Sequence, residues 1–139
     1  MLDLSSQRLF RVSRVLWVMG WYSLSKSLQE WILALPGVSQ APHRFGGTEF
    51  QVHGLEFMHS HGSSYLDIRL SLEDQARVLK EGRAEPHRFA PQAGWVTCRI
   101  HGDEDAEKAK EIIRLAYDNA EKRMQAHTAR RGASQSSQV

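Results

Sequence analysis

Three short segments in the middle of the chain, separated by two glycine-containing turns, constrain the fold most strongly. The segments are Thr48–Val52, Leu55–His61 and residues 65–70. The last alternates strictly between polar and apolar residues, which is typical of a half-buried β-strand because successive side chains point to opposite faces. His53-Gly54 fits a two-residue hairpin turn, since glycine tolerates a positive φ. Gly62-Ser63-Ser64 fits a three-residue turn. The pattern therefore predicts an antiparallel β-meander.

Two helices and a fourth strand are predicted after the meander. Ser71 is a good N-cap for a short helix that Gly82 ends, and residues 83–93 are predicted to form a loop. Residues 95–101 alternate again, like a strand. A long helix is then expected from Asp103, because acidic residues crowd its first turn, where the helix dipole favours negative charge. We expect an α+β fold, with a four-stranded antiparallel sheet and N-terminal helices.

The chain ends differ in composition from its centre. Apolar residues between Leu24 and Leu35 recur at helical spacing, and residues 9–22 are also compatible with a helix. We divide the 139 residues into a tryptophan-rich helical extension (1–23), a single α+β domain (24–126) and a polar tail expected to be disordered (127–139). The N-terminal helices are expected to form a homodimer or other homo-oligomer. We identify no internal repeat.

Composition narrows the class of protein. The apolar run of residues 15–22 is too short to span a bilayer, and no A-x-A cleavage site follows it. The lone Cys98, expected in the core, suits a reducing cytoplasm. Eighteen basic and sixteen acidic residues leave a net charge of +2, which does not favour nucleic-acid binding. These features predict a cytoplasmic protein without a transmembrane segment.

The expected strand register creates one aromatic and ionisable face. It pairs His59 with Asp67, His61 with Tyr65, and Phe50 with Phe57. Met58, Leu66, Ile68 and Leu70 would occupy the opposite face, beneath the C-terminal helices. Because such a polar and aromatic face is costly to leave exposed, we predict that it binds a ligand or partner. The predicted binding residues are Phe57, His59, His61, Tyr65, Asp67, Arg69, His87 and Trp95.

A divalent metal is the second possibility for this face. His59, His61 and Asp67 would supply imidazole and carboxylate ligands for zinc, iron or manganese, with His87 as a fourth. Glu56 would point to the opposite face and is a poor ligand on this register. Alternatively, Asp67 accepts a hydrogen bond from His59 and fixes its tautomer. No Gly-x-Ser-x-Gly motif occurs, and the sequence leaves open whether the protein is an enzyme.

Several short blocks together resemble a known family. They are Leu35-Pro36-Gly37-Val38, Arg44-Phe45-Gly46-Gly47-x-Glu49-Phe50, Glu56-x-x-His59-x-His61, Asp67, residues 82–87, Gly94-Trp95-Val96 and Tyr117. Over residues 28–125 the chain resembles the luciferase-domain family of bacteria and fungi. The resemblance implies a small α+β domain of unassigned activity, and the family label gives no reason to expect light emission. It is more distantly similar to the MmcQ/YjbR family, which implies a double-wing fold suggested to bind DNA. The motif residues Glu56, His59, His61, Asp67, His87 and Trp95 carry over without a chemical role.

Overall fold

A computed structural model describes residues 25–137 and has an α+β architecture. The tryptophan-rich extension predicted over residues 1–23, with its expected role in homo-oligomerisation, lies outside the described residues. The elements in chain order are α1 (Lys26–Leu33), β1 (Val38–Pro42), β2 (Thr48–Val52), β3 (Leu55–His61), β4 (Tyr65–Arg69), α2 (Leu72–Lys80), β5 (Glu85–Pro86), β6 (Trp95–Arg99) and α3 (Asp103–Ser136).

The sheet has six strands rather than the predicted four. Its order is β1-β2-β3-β4-β6-β5, and all neighbouring strands are antiparallel. The four predicted strands occupy the centre. The two missed strands are the edges, where β1 has no fully buried residue and β5 has only two residues, one of them Pro86. Neither strand carries an alternating apolar pattern by which it could be predicted. Both contain a proline, which is tolerated at a sheet edge because an edge strand can leave one backbone hydrogen bond unmade.

The core lies between one sheet face and α3. Phe50, Met58, Ile68 and Val96 are register partners in a row across four strands, and all are at most 1% exposed. The helix buries a stripe at helical spacing against them. Its buried residues are Ala106, Ala109, Ile112, Ile113, Ala116, Tyr117 and Ala120. Cys98 is buried on the same side, as expected for a core cysteine.

Helix α1 closes one end of this core. Ser25 caps it by accepting a hydrogen bond from the backbone N–H of Leu28, and Leu28 and Ile32 are buried. The Tyr117 hydroxyl of α3 donates to the Pro36 carbonyl over 2.6 Å, which ties the end of the α1 region to the long helix. Both helices therefore leave the opposite face of the sheet uncovered.

The expected pairing of Phe50 with Phe57 is wrong, because β3 contains a bulge. Near the two-residue turn the predicted register holds, with Gln51 opposite Glu56. Beyond this pair the register shifts by one, so that Phe50 lies opposite Met58 and Glu49 opposite His59. A bulge places two residues of one strand against one of its partner and so changes which face later side chains occupy. Phe50 and Phe57 consequently belong to the core face, not to the ionisable face.

Helix α3 is longer than predicted. It continues past residue 126 to Ser136, so residues 127–136, expected to be disordered, are helical in the structure. These residues are all exposed and form no apolar stripe; alanine, arginine and glutamine, which are good helix formers, make up half of the segment. No helix within residues 25–137 combines the length and apolar character needed to cross a membrane.

Candidate functional site

A cavity of about 740 Å³ opens on the sheet face that the helices leave uncovered. Its floor is the row His59, Asp67 and Thr97, which are register partners on β3, β4 and β6. Its walls come from the loops that follow the edge strands β1 and β5. The lining residues are His43, Arg44, Phe45, Glu56, His59, His61, Tyr65, Asp67, His87, Arg88, Phe89, Ala90, Trp95 and Thr97.

His59 lies at the centre of the floor between two carboxylates. Its Nδ1 is 2.8 Å from Glu56 Oε1, and its Nε2 is 3.2 Å from Asp67 Oδ2. The bulge in β3 makes this possible, because it turns Glu56 to the same face as His59. The expectation that Glu56 points away is therefore wrong. Both ring nitrogens of His59 are engaged, and only 7% of the residue is exposed.

Asp67 is the hub of the floor. The hydroxyl of Thr97 donates to its Oδ1 over 2.6 Å. Its Oδ2 lies 3.2 Å from His61 Nε2 and 3.4 Å from His87 Nε2, in addition to the His59 contact. The predicted pairing of His59 with Asp67 across β3 and β4 is confirmed. One buried carboxylate thus joins two histidines of β3 with a third from the loop after β5.

The contacts shift the pKa values of the floor residues in opposite directions. Burial lowers the pKa of His59, but the hydrogen bonds to Asp67 and Glu56 outweigh burial and raise it to about 9. The hydrogen bond from His59 lowers the pKa of Glu56. Burial raises the pKa of Asp67, yet hydrogen bonds from His59 and Thr97 leave it lowered overall. Near neutral pH the floor is therefore an imidazolium between two carboxylates.

His61, at the exposed end of β3, differs from His59. Burial lowers its pKa, and the positive charge of His59 lowers it further. Its side chain is 41% exposed, so His61 presents a neutral imidazole at the cavity surface near neutral pH.

The first wall is the loop between β1 and β2, which the sequence analysis did not include in the site. The backbone N–H of His43 donates to the Gly47 carbonyl over 3.1 Å, and the His43 ring turns inward until its side chain is only 6% exposed. Its Nε2 lies 3.6 Å from Glu56 Oε1. His43 therefore adds a fourth histidine to the cavity.

The second wall is the loop after β5. His87 Nδ1 accepts the backbone N–H groups of Phe89 and Ala90 over 3.1 and 3.0 Å. An imidazole nitrogen that accepts hydrogen bonds carries no proton, so the proton of neutral His87 is on Nε2, where it faces Asp67. The loop thus sets the tautomer of its own histidine.

A continuous row of rings connects the two walls. His43 and His59 stack with centroids 4.1 Å apart, and His59 lies 5.0 Å from Trp95. Trp95 in turn lies 6.1 Å from the His87 ring. Phe45 and Phe89 extend the row outward at its two ends, at 5.6 Å from His43 and 6.2 Å from His87. Apart from the stacked His43–His59 pair, neighbouring rings are inclined by 47° to 67°, so the row gives the cavity an aromatic wall rather than one flat surface.

The structure brings six of the eight predicted binding residues into the cavity lining: His59, His61, Tyr65, Asp67, His87 and Trp95. Phe57 is not among them, because the bulge buries it in the core, where its ring meets that of Tyr117 at 6.2 Å. Arg69 is also outside the lining. Its Nε donates to the Ala93 carbonyl instead.

The residues that the sequence analysis missed come mainly from the two loops. His43, Arg44, Phe45, Arg88 and Phe89 were not predicted as site residues. A signal was available, because the tetrapeptide Pro-His-Arg-Phe occurs at both residues 42–45 and residues 86–89. The chain therefore does contain one short internal repeat, of four residues, contrary to the expectation that it has none.

Two groups of side chains have metal-ligand geometry within the described residues. One comprises His43, Glu56 and His59, and the other His59, Asp67 and His87, with the ligand atoms of each group within 4.8 Å of one another. Both groups contain His59. The second group contains three of the four predicted ligands, His59, Asp67 and His87, and lacks His61.

Comparison with known proteins agrees with the resemblance in the sequence. The family model described as Luciferase domain matches residues 54–116. The match contains Glu56, His59, Asp67, His87 and Trp95, whereas the loop with His43 lies before it. No curated protein matches the chain at a significant level.

Proposed function

We propose that this chain, which carries a Luciferase domain over residues 54–116, binds a small organic ligand in the cavity on its open sheet face. The observation that carries the proposal is the cavity itself, in which an extended row of rings meets a buried ionic floor. Binding sites for small molecules are largely preformed concave surfaces of a few hundred Å³ that combine apolar walls with a few convergent polar groups. The cavity fits this description.

The contacts of His59 favour binding over acid–base catalysis. A general base needs a ring nitrogen within hydrogen-bond reach of the substrate proton. Both nitrogens of His59 face carboxylates, at 2.8 and 3.2 Å. Exchanging a proton with a substrate would break one of these buried pairs. We therefore assign the network a binding role: it holds a rigid polar floor against which a ligand is placed.

A cavity-filling substitution tests this proposal. The full chain, with ¹⁵N-labelled histidine, is titrated with 2-naphthoate and 2-naphthol, and the ring signals are followed by NMR. We expect the signals of the cavity histidines to shift while those of His101 and His127 stay in place. Ala90→Trp fills part of the cavity and abolishes the shifts. Ala93→Trp, at an exposed position outside the lining, is the matched control and preserves them.

Two outcomes contradict ligand binding. In one, neither probe shifts any cavity histidine at millimolar concentration. In the other, the shifts persist unchanged in Ala90→Trp, which places the probes elsewhere. Circular dichroism of both alanine variants establishes that each is folded, so that lost shifts in Ala90→Trp report lost space.

Metal binding is the second candidate, and one geometric observation favours it. The Nε2 atoms of His59 and His87 lie 3.2 and 3.4 Å from Asp67 Oδ2, and the three residues offer ligand atoms that all lie within 4.8 Å of one another. Ligand atoms at about 2.0 Å from a tetrahedral zinc are separated by about 3.3 Å. Glu56 on His59 Nδ1 also resembles the carboxylate that orients a metal-bound histidine. Against this, the backbone N–H groups on His87 Nδ1 place a proton on the Nε2 that would have to bind the metal.

Elemental analysis separates the two candidates. Tag-free protein is purified without chelator, and metal per chain is measured for the wild type and for the double variant His59→Ala, His61→Ala. Nearly one zinc, iron or manganese per wild-type chain, lost in the variant, supports a metal site. Far less than one per chain in both proteins overturns it and leaves the ligand-binding proposal standing.

A further inference from the structure

The two Pro-His-Arg-Phe segments approach the cavity from opposite sides. Each begins with the last residue of an edge strand, Pro42 of β1 and Pro86 of β5. Because every neighbouring pair in the six-stranded sheet is antiparallel, β1 and β5 run in opposite directions. The segments therefore enter the cavity from opposite edges and from opposite ends of the sheet. They are related by an approximate two-fold rotation about the central His59–Asp67 pair.

The local structure of the two segments is the same. In each, the histidine Nδ1 accepts the backbone N–H of the phenylalanine two residues later, over 3.3 Å in the first and 3.1 Å in the second. In each, the arginine guanidinium lies over the ring of that phenylalanine, at 4.8 Å for Arg44 and 5.4 Å for Arg88. One four-residue turn is thus used twice.

Each turn leaves an apolar ring and a cation at the rim. Phe45 is 75% exposed and Phe89 is 79% exposed. Within residues 25–137, no salt bridge involves Arg44 or Arg88. A guanidinium has five donors in a planar fork that matches a carboxylate. Each turn therefore holds one aromatic surface and one unused anion-binding group.

We propose that the two turns form a clamp for a flat aromatic ligand with an acidic group at each end. This inference rests on the proposed function and names the ligand class of the same cavity. Phe45 and Phe89, the exposed rings at the two ends of the row, supply stacking contacts for the ligand body. Arg44 and Arg88 bind the two acidic groups. The approximate two-fold relation matches a ligand whose two ends are chemically alike.

The histidines of the turns position this clamp. The hydrogen bond to Nδ1 leaves the Nε2–H of His43 facing Glu56 and that of His87 facing Asp67. Each turn is thereby anchored to the floor through its histidine, so its arginine and phenylalanine are held at the rim. Ordering both arms before binding reduces the entropy that is lost when the ligand is immobilised.

Three probes with the same ring system test the clamp. Affinities of the full chain for 2,6-naphthalenedicarboxylate, 2-naphthoate and 2-naphthol are measured by isothermal titration calorimetry at one fixed ionic strength, since salt screens such contacts. We expect the dicarboxylate to bind at least about tenfold more tightly than 2-naphthoate, and 2-naphthol to bind most weakly. Arg44→Gln and Arg88→Gln each lower the dicarboxylate affinity to about that of 2-naphthoate.

Matched variants distinguish the arms from general surface effects. Phe45→Ala and Phe89→Ala are each expected to weaken all three probes several-fold. Leu72→Ala, which removes another large exposed apolar side chain outside the cavity, leaves every affinity unchanged. Arg130→Gln, on the exposed end of α3, is the corresponding control for charge.

The clamp and the proposed function fail in different ways. Equal affinities for the three probes, unaffected by the arginine variants, overturn the clamp and leave ligand binding intact. A loss of affinity in only one arginine variant also overturns it, because one arm then suffices. Binding of none of the probes overturns both.

Discussion

The imidazole of His43 lies flat on that of His59, with ring centroids 4.1 Å apart and an angle of 16° between the planes. The two residues are separated by a hairpin, since His43 follows β1 and His59 lies in β3. The stacking covers one face of the charged His59 ring with a neighbouring aromatic ring. The loop at the sheet edge therefore packs directly against the ionic floor.

Two adjacent glycines test how the first loop is held. Gly46 and Gly47 both have a positive φ, of 90° and 82°. A Cβ at Gly46 would meet nothing, whereas one at Gly47 would collide with the Ser60 carbonyl. We expect Gly46→Ala to lower the free energy of unfolding by about 1 kcal/mol, from the backbone conformation alone. Gly47→Ala should cost at least about twice as much. Urea denaturation measures both, and equal losses would exclude the close approach to β3.

The stability of the metal-free protein should fall as the pH rises from about 6.5 to about 9. Folding raises the pKa of His59 from 6.5 to about 9, so the folded chain holds a proton that the unfolded chain has released. The stabilisation is complete below pH 6.5 and is lost as the pH rises through the folded-state value. We expect His59→Gln to flatten this part of the curve and His127→Gln, on exposed α3, to retain it. Urea midpoints at several pH values, with chelator present, measure the effect. A flat wild-type curve would contradict the raised pKa.

His43 and His87 should both carry their neutral proton on Nε2. In each ring Nδ1 accepts a backbone N–H, from Phe45 in one case and from Phe89 in the other. The ¹⁵N chemical shifts of the two ring nitrogens differ between the tautomers and report the proton position directly. Replacing Phe89 by proline removes one donor and is expected to weaken the preference only at His87. A proton on Nδ1 of either wild-type residue is incompatible with the loop geometry and would favour a metal site.

Phe57 and Phe45 should respond oppositely to truncation. Phe57 is 1% exposed and packs on Tyr117, whereas Phe45 is 75% exposed. Phe57→Ala is expected to lower the free energy of unfolding by about 3 to 5 kcal/mol, because it leaves a cavity in the core. Phe45→Ala should change it by less than about 0.5 kcal/mol. Thermal and urea denaturation of the two variants gives the comparison. A small loss of stability in Phe57→Ala would contradict the burial of this ring in the core and would support the predicted position on the open face.

Part of the strand register in the sheet could be predicted from the sequence and part could not. The pairing of His59 with Asp67 was predictable because a short glycine-containing turn, residues 62–64, sets the register of β3 and β4. The pairing of Phe50 was not, because an alternating pattern does not mark where an extra residue is inserted. Phe57-Met58, two consecutive buried apolar residues in β3, is the trace that the bulge leaves.

The site was predictable where strands carry it and not where loops do. His59, His61 and Asp67 follow from alternation along β3 and β4. His43 lies after the edge strand β1, which has no alternating pattern, and its position depends on stacking and hydrogen bonds that periodicity does not reveal. The placement of His87 near Asp67 likewise depends on the short strand β5 and on backbone contacts to its own ring.

The bulge at Phe57 makes the number of residues between Glu56 and His59 as important for the ionic floor as the identity of those two residues. Because Phe57 is the extra residue, Glu56 still lies opposite Gln51 while Met58 lies opposite Phe50. Glu56 and His59 are three positions apart, so in a regular strand of the same sequence they would point to opposite faces, and the partner of His59 would be lost although no residue of the ionic floor had been substituted. Relatives that keep the counterparts of Glu56 and His59 on one face are therefore expected to have either this three-residue spacing with a bulge or a two-residue spacing without one.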